Sequence, residues 1–207
     1  MPQEIESGKL LIKDVFQEWF RIPEYQRPYV WGTDQVTELL DDVFQARQQN
    51  PDSQYFLGSM VLKKNMKEEG TAKYKELDLL DGQQRTITIF LITAVIRDLA
   101  PKTNIAMFTT CKEAIYQMAN SYDNVPERLR IVFDIRDKVR DFVNTYIKQD
   151  DGTSNENVFI KILNEEENIS IRNMANAILT IRNYFNNGHS IDEFFKYLRS
   201  NVLMIYV

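Results

Sequence analysis

Short apolar segments separated by turn residues characterise the first hundred residues of the chain. The segments at 55–64 and 73–80 have strand character, and they predict a hairpin with a polar turn over 67–72. Earlier in the chain, apolar residues at helical spacing between positions 36 and 44 predict a helix, for which Thr33 is the expected N-cap. This part of the chain therefore reads as a mixture of strands and helices.

The run TITIFLITAVI, which follows Arg85, is β-branched and by propensity suits a strand. It continues without a break through the next three residues and exceeds the length of a typical strand. Because it is uncharged on all sides, we predict a central buried helix.

The second half of the chain predicts helices. Amphipathic patterns lie at about 104–119, 124–148, 169–186 and 190–200, residues 150–157 predict a loop, and the last segment, NVLMIYV, predicts a strand. We therefore expect an α+β protein with a small mixed sheet. The expected division is a core at 1–103 and a helical lobe at 104–207 that ends in a strand and packs with the core. Since that strand has no cap after it, we expect the natural chain to be longer.

Composition excludes several classes of site. The net charge of −5 disfavours a protein that coats nucleic acid through many phosphate contacts, although a local arginine pocket is compatible with it. A single cysteine, Cys111, and a single histidine, His189, exclude a disulfide framework and an all-protein zinc cage. No apolar window is long enough for a membrane span and no signal peptide is evident, so we expect a cytoplasmic protein without membrane contact.

The segment LDLLDGQQRTITIF places five polar or flexible residues between two apolar runs. A strand, a glycine turn and a helix start make an anion site, because the first helical N–H groups lack partners and the helix dipole is positive there. Gly82 permits positive φ, and Arg85 offers a planar fork to phosphate oxygens. Gln83 and Gln84 each supply a donor and an acceptor. Asp81 repels phosphate, and so it indicates a hard cation such as Mg²⁺ or a positioned water.

Two interpretations of this turn remain open at the level of sequence. In the first, it is a phosphate or nucleotide pocket. In the second, it is a structural connection in which Asp81 caps the helix and Arg85 is solvated.

Two further segments carry weaker signals. In YQRPYVW, Arg27 lies in a loop stiffened by proline, and the alternation of Tyr25, Tyr29 and Trp31 predicts one aromatic face suited to a base beside a phosphate. The alternative is an aromatic loop that packs onto the core. Gly58, inside a predicted strand, indicates close backbone approach or a bulge.

The segments IPEYQRPYVWGTDQVTELLDDV, YFLGSMVL and LDLLDGQQRTITIFLITAVI occur in this order. Together they resemble the N-terminal domain of the GmrSD-type modification-dependent restriction enzymes of bacteria, over roughly residues 10–100. The resemblance implies a ParB/sulfiredoxin-like fold, binding and hydrolysis of a nucleoside triphosphate, and restriction of phage DNA that carries modified bases. In that family a separate HNH-type nuclease domain commonly cuts the DNA, and nothing in this sequence resembles one. The family pattern also continues, after the last strand, into a segment with Glu, Asn, Arg and Gly.

The resemblance implies a role for each matching residue. The catalytic set is Asp81, Gln84 and Arg85, in which Asp81 holds Mg²⁺ or orients the attacking water and Gln84 positions that water. Ile87 stands where the family often has threonine, and Thr86 where leucine is usual, which weakens any role for hydroxyls at the helix start. The residues expected to bind nucleotide are Tyr25, Gln26, Arg27, Trp31, Gly58, Ser59, Gly82, Gln83 and Thr88.

Three functions follow, in decreasing order of support. The first is a domain that binds and hydrolyses a nucleoside triphosphate without a P-loop and so gates a DNA-cleaving partner. The second is a module that senses a nucleotide or a modified base without chemistry. The third is a ParB-like nuclease with Asp81 as metal ligand and Asp78 and Asp42 as lesser candidates, although one convincing carboxylate makes a poor two-metal site.

Overall fold

The computed structural model describes residues 6–69, 72–134 and 137–207. These residues form a mixed α/β fold with a six-stranded sheet and a separate two-stranded ribbon. The strands are β1 Gly8–Leu11, β2 Phe20–Ile22, β3 Tyr55–Glu69, β4 Ala72–Asp81, β5 Tyr116–Gln117, β6 Arg128–Leu129, β7 Ile131–Phe133 and β8 Val202–Tyr206.

The long strand β3 organises the sheet. Its first part pairs in parallel with β8, and its second part pairs antiparallel with β4. β2 lies parallel between β4 and β7, and β1 pairs antiparallel with β8, which gives the order β1-β8-β3-β4-β2-β7. β4 and β8 lie on opposite sides of β3, and both end beside its middle. Asp81 is in register with Val61, and the amide of Val207 donates to the carbonyl of Met60.

The helices occupy most of the remaining chain. A π-helical segment, Val143–Lys148, continues α5 directly. The helices are α1 Ile12–Val15, α2 Thr33–Gln49, α3 Gln83–Leu99, α4 Ile105–Ile115, α5 Asp137–Phe142, α6 Glu156–Glu165, α7 Ile169–Asn186 and α8 Ile191–Ser200.

Helix α3 is central, and its prediction from the uncharged run is confirmed. Every residue from Thr86 to Arg97 is buried, and the helix packs on α4 and α7. A helix enclosed on all sides needs apolar residues around its whole circumference, which explains the lack of an amphipathic pattern. The start of α3 is thereby held firmly at the end of β4.

The predicted hairpin is also confirmed, and its two faces differ in chemistry. Leu77 and Leu79 of β4 enter the apolar core. Glu76 and Asp78 alternate with them and point to the other face, where Arg21 of β2 donates to both oxygens of Asp78 at 2.7 and 3.0 Å. Strand alternation therefore separates an apolar face from a face of ion pairs.

The prediction of one helix over 124–148 is wrong for its first part. Residues 128–133 form β6 and β7, and the helix begins only at Asp137. The short apolar segment of β7 extends the sheet by pairing with β2, a contact between distant parts of the chain that no local periodicity shows. The helix predicted at 104–119 likewise ends at Ile115 and passes into β5.

Smaller differences concern element ends. The N-cap of α2 is Gly32, one residue before the predicted Thr33, because the Gln35 side chain accepts a hydrogen bond from the Gly32 amide at 2.9 Å. Strand β3 runs through Glu69, into the predicted turn at 67–72, and residues 70–71 of that turn lie outside the described residues. Helix α6 was not predicted. The helices predicted at 169–186 and 190–200 and the final strand are confirmed.

The division at residue 103 stays a prediction. Strands β7 and β8 come from the second half of the chain and pair within the same sheet as β3 and β4. None of the helices in the described residues combines the length and the apolar character that crossing a membrane requires.

Candidate functional site

Gly82 forms the turn between β4 and α3. It is the N-cap of the helix with φ 84° and ψ 3°, in the left-handed region, and a Cβ built there would lie 2.7 Å from the carbonyl oxygen of Ser59. Both the backbone conformation and the space therefore require glycine. Because glycine has no side chain, the N-cap makes no side-chain hydrogen bond to the first amides of α3, where the helix dipole is positive.

Arg85 lies on the backbone of Gly58. A Cβ built at Gly58, whose φ is +145°, would lie 2.8 Å from Nη1 of Arg85 and 3.0 Å from its Cζ. For this strand glycine the sequence indicated a close approach or a bulge, and both are present: the Arg85 guanidinium approaches the backbone, and the pairing of β3 with β8 shifts register between Phe56 and Gly58. Arg85 is half-buried, and in the described part of the chain neither a carboxylate nor a carbonyl pairs with it. A partly desolvated cation without a partner is unfavourable until an anion binds it.

Asp81 stands at the rim of the turn. It is exposed, and its Oδ1 accepts a hydrogen bond from the Gly82 amide at 2.8 Å. The carboxylate thus holds the turn with one oxygen and leaves the other toward solvent. The described residues contain no cluster of three or more histidine, cysteine or carboxylate side chains that would hold a metal on its own.

Gln84 binds the main chain of the loop between β2 and α2. Its Oε1 accepts from the amides of Val30 and Trp31 at 2.9 and 3.3 Å, and its Nε2 donates to the carbonyl of Pro28 at 3.0 Å. Gln84 itself is buried. The side chain therefore holds the loop that carries Arg27 and Trp31 against the start of α3.

The prediction that Tyr25, Tyr29 and Trp31 share one face is wrong. Tyr29 is 1% exposed and Tyr25 is 73% exposed. The Tyr29 hydroxyl lies 2.8 Å from the hydroxyl of Thr88 inside the core, and burial raises the pKa of Tyr29. Thr88 is also fully buried and donates to the carbonyl of Gln84 at 2.8 Å, so its hydroxyl contacts the loop and its own helix.

The other predicted site residues divide into exposed and buried groups. Tyr25, Arg27 and Ser59 are exposed, whereas Trp31 and Gln26 are half-buried. The backbone amide of Gln26 donates to the carbonyl of Pro23 at 3.1 Å. Gln83 is buried, and its Oε1 has no hydrogen-bond partner among the residues that the structure describes.

Tyr55, which the sequence did not single out, lies near Arg85. Its hydroxyl donates to Oδ2 of Asp42 on α2 at 3.1 Å. Burial and the Asp42 carboxylate raise the pKa of Tyr55 to about 12, and the charge of Arg85 opposes that rise. In the sequence, only its position three residues before Gly58 pointed to Tyr55. Its contact with Asp42 depends on how α2 packs against β3, which no local pattern shows.

The three aspartates of the nuclease hypothesis have different environments. Asp78 is 2% exposed and is held by Arg21 on the polar face of the sheet. Asp42 accepts from Tyr55, and Asp81 lies at the turn. Each carboxylate has its own partner, and the described residues do not gather them into a metal cluster.

Two cavities of about 220 and 340 Å³ lie near β5 and β6. Tyr116 lines both of them, and Arg130 lines the larger. No residue of the turn 81–85 lines either of these two cavities. The candidate site is built from a turn, a loop and a helix end.

These features define an α/β domain with a candidate phosphate site at a glycine turn, outside the P-loop class. The family model described as the N-terminal domain of the GmrSD restriction endonuclease matches residues 9–207. The chain therefore belongs to this family, and it is part of a DNA restriction system. A search of the curated proteins finds no match.

Proposed function

We propose that this domain binds a nucleoside triphosphate at the turn between β4 and α3, hydrolyses it, and thereby controls a DNA-cleaving domain or subunit. One observation carries the proposal: the half-buried guanidinium of Arg85 lies on Gly58 without a partner among the described residues, beside an uncapped helix start. A phosphate group would satisfy the guanidinium and the first amides of α3 together.

Arg27 supplies a second positive charge. It is exposed, and in the described part of the chain no carboxylate pairs with it. Gln84 binds the carbonyl of Pro28, the residue that follows Arg27, and so keeps this part of the loop at the start of α3. Two arginines on separate elements suit the several charges of a triphosphate better than those of a single phosphate.

Mg²⁺ fits this arrangement through Asp81. Magnesium is commonly held by one or two carboxylates together with substrate phosphates and water, and it needs no cage made only of protein. The exposed carboxylate of Asp81 at the helix start provides that kind of ligand. Mg²⁺ would also reduce the repulsion between Asp81 and the phosphates, so nucleotide binding should depend on the metal.

Catalysis in this proposal consists of positioning and charge neutralisation, as in other phosphoryl transfers. Arg85 stabilises charge that develops on the transferred phosphoryl group, and Asp81 orients the metal or the attacking water. A water-positioning role for Gln84 stays a prediction, and it requires the loop to release the amide that now binds Pro28 and Val30.

Tyr25 and Trp31 offer rings for the base, and Phe56, 53% exposed on β3, offers another. A ParB/sulfiredoxin-like relationship remains part of the proposal.

Phosphate release with Mg²⁺ tests the proposal on three variants. Arg85→Ala and Asp81→Asn should each lower kcat/KM by about a hundredfold or more. Arg140→Ala, a partly exposed arginine of α5, serves as the control and should retain the wild-type rate. Equal hydrolysis by the wild type and both site variants would contradict the assignment.

The hydrogen bonds of Gln84 favour a second candidate, a nucleotide-sensing module. The Gln84 amide is fully used by the loop, so it does not position an attacking water, while the turn can still hold a ligand. This alternative predicts nucleotide-dependent stabilisation that Arg85→Ala removes, with no phosphate release by the wild type.

A further inference from the structure

One face of α7 carries polar residues at every third position: Ser170, Asn173 and Asn176. The first two contact the loop before α2, and the third contacts the first residue of α2. The Ser170 hydroxyl accepts from the Tyr29 amide at 3.1 Å, and Asn173 Nδ2 donates to the Tyr29 carbonyl at 3.2 Å. Asn176 Nδ2 donates to the hydroxyl of Thr33 at 3.0 Å. We call these three residues the α7 stripe.

The stripe is chemically distinct from the rest of its helix. Other positions of α7, such as Met174, Ala175 and Ile178, are buried in the apolar core. Ser170 is 3% exposed, yet it is polar, and its hydroxyl accepts the hydrogen bond from the Tyr29 amide. An apolar side chain there would leave the buried amide of Tyr29 without a partner, which is costly. The polar residues are therefore matched to the backbone of the loop.

The loop is held from two sides. Gln84 of α3 binds the main chain of Pro28, Val30 and Trp31. Ser170 and Asn173 of the α7 stripe bind the main chain of Tyr29 between them. The segment is not part of a strand or helix, so side chains take the place of a ladder of backbone hydrogen bonds. The positions of the flanking Arg27 and Trp31 consequently depend on α7.

We infer that Ser170 and Asn173 are positioning residues of the nucleotide site, which hold the loop so that Arg27 reaches the ligand bound by Arg85. This inference rests on the proposed function for its ligand, but not for its effect on the loop. Because coupling between two sites is reciprocal, a ligand that fixes Arg27 also strengthens the contact between the loop and α7. The second half of the chain thereby senses the occupancy of a site formed by the first half.

The first experiment measures the loop without any nucleotide. The chain has two tryptophans, so Trp19→Phe leaves Trp31, within the loop, as the single tryptophan, which is excited selectively over the tyrosines. In this background Asn173→Ala and Ser170→Ala should lower the anisotropy of Trp31 and increase its quenching by acrylamide. Asn183→Ala, an exposed residue further along α7, is the matched control and should leave both signals unchanged.

The second experiment measures the Kd for a nucleoside triphosphate with Mg²⁺ at a temperature where every variant is folded. Asn173→Ala should weaken binding about fivefold, the effect of one hydrogen bond. Asn173→Asp, which keeps the volume but cannot donate to the Tyr29 carbonyl, should weaken binding similarly. If Asn173 acts through Arg27, its effect on the Kd disappears in an Arg27→Ala background.

Either experiment can overturn the inference. Unchanged Trp31 signals in Asn173→Ala and Ser170→Ala would show that the stripe does not hold the loop. If the effects of Asn173→Ala and Arg27→Ala on the free energy of nucleotide binding add fully in the double variant, the stripe does not act through Arg27. If the wild type binds no nucleotide, the proposed function fails, while the Trp31 measurement still decides whether the stripe positions the loop.

Discussion

The two ends of α3 each carry an arginine, and the two arginines differ in their hydrogen-bond and charge partners. At the C-terminal end, Arg97 is 1% exposed, pairs with Asp98 and donates to the carbonyl of Ile147 at 2.8 Å, at the end of the π-helical segment. Asp98 in turn accepts from the amide and the hydroxyl of Thr153 at 2.9 and 2.8 Å. At the N-terminal end, Arg85 is half-buried and has no such partners among the described residues.

The difference separates a structural charge from a functional one. A buried guanidinium is tolerated only when its donors are satisfied, and Arg97 meets that condition through the protein. No described residue meets it for Arg85, and under the proposed function a bound anion does. In that account the same helix uses one arginine to join two parts of the fold and the other to bind a ligand.

The largest expected effect is on stability at the Arg97 end. Arg97→Ala leaves Asp98 without its charge partner and should lower the free energy of unfolding by about 3–5 kcal/mol. Arg85→Ala removes no hydrogen bond to a described residue and should change it by less than about 0.5 kcal/mol. Urea unfolding of both variants measures the contrast. Equal destabilisation would show that the two arginines do not differ in the way proposed.

The next effect concerns the glycine beneath Arg85. Gly58→Ala adds a Cβ 2.8 Å from Nη1 of Arg85 at a φ of +145°, so it should displace the guanidinium and cost about 1–3 kcal/mol in backbone strain. Gly188→Ala is the control, since Gly188 has φ +101° but nothing within 4 Å of an added Cβ. Melting and nucleotide titration should show destabilisation in both variants and weakened binding only in Gly58→Ala. Weakened binding in both variants would show that backbone strain, and not displacement of Arg85, causes the loss of affinity.

A smaller effect is expected on the polar face of the sheet. Burial alone would raise the pKa of Asp78, but the hydrogen bonds from Arg21 and Asn65, together with the positive charges of Arg21 and Lys63, outweigh it and lower that pKa from 3.8. A lowered folded pKa contributes stability above about pH 4, and this contribution is lost as pH falls through the folded value. Because Arg21 is partly exposed, Asp78→Asn should lose on the order of 1 kcal/mol at neutral pH.

The pH dependence supplies the check for Asp78. The difference in unfolding free energy between the wild type and Asp78→Asn should shrink as the pH is lowered from 6 to below 4. A difference that stays constant with pH would show that the Asp78 carboxylate gains nothing from Arg21.

The smallest signal concerns Cys111 on α4, in the core. Burial raises the pKa of its thiol to about 12, so the thiolate that reacts with disulfide reagents is scarce at pH 8. Labelling should be negligible in the native state and complete in denaturant, and the same slow rate should persist in Arg85→Ala. Rapid labelling of the native wild type would show that this part of the core opens easily.

Sequence reasoning succeeded where the pattern and the structure depend on the same short segment. The uncharged run after Arg85 predicted α3, and the glycine turn before it predicted where that helix starts. It failed at β7, because that strand is determined by pairing with β2, far away in the chain. It also misplaced Tyr29: alternation described an extended loop correctly but did not show that Gln84 and Thr88 draw one ring inward.

The chemical types in the site were predictable, whereas their partners were not. That Arg85 and Gly58 belong to one site follows from the resemblance, but their direct contact depends on how β3 bends past the start of α3. The α7 stripe is visible in the sequence only as a repeat of small polar residues. Nothing in such a repeat identifies the loop that it binds.

The most direct test of the account is thermal denaturation with ATP, GTP, UTP and CTP, each with Mg²⁺, on the wild type and Arg85→Ala. We predict that at least one nucleotide raises the melting temperature of the wild type, by an amount that corresponds to about 2.7 kcal/mol when the ligand is at a hundred times its Kd. Arg85→Ala should melt like the unliganded wild type and show no shift. An equal shift in both proteins, or none with any nucleotide, would contradict the claim that the unpaired Arg85 is there to bind a triphosphate.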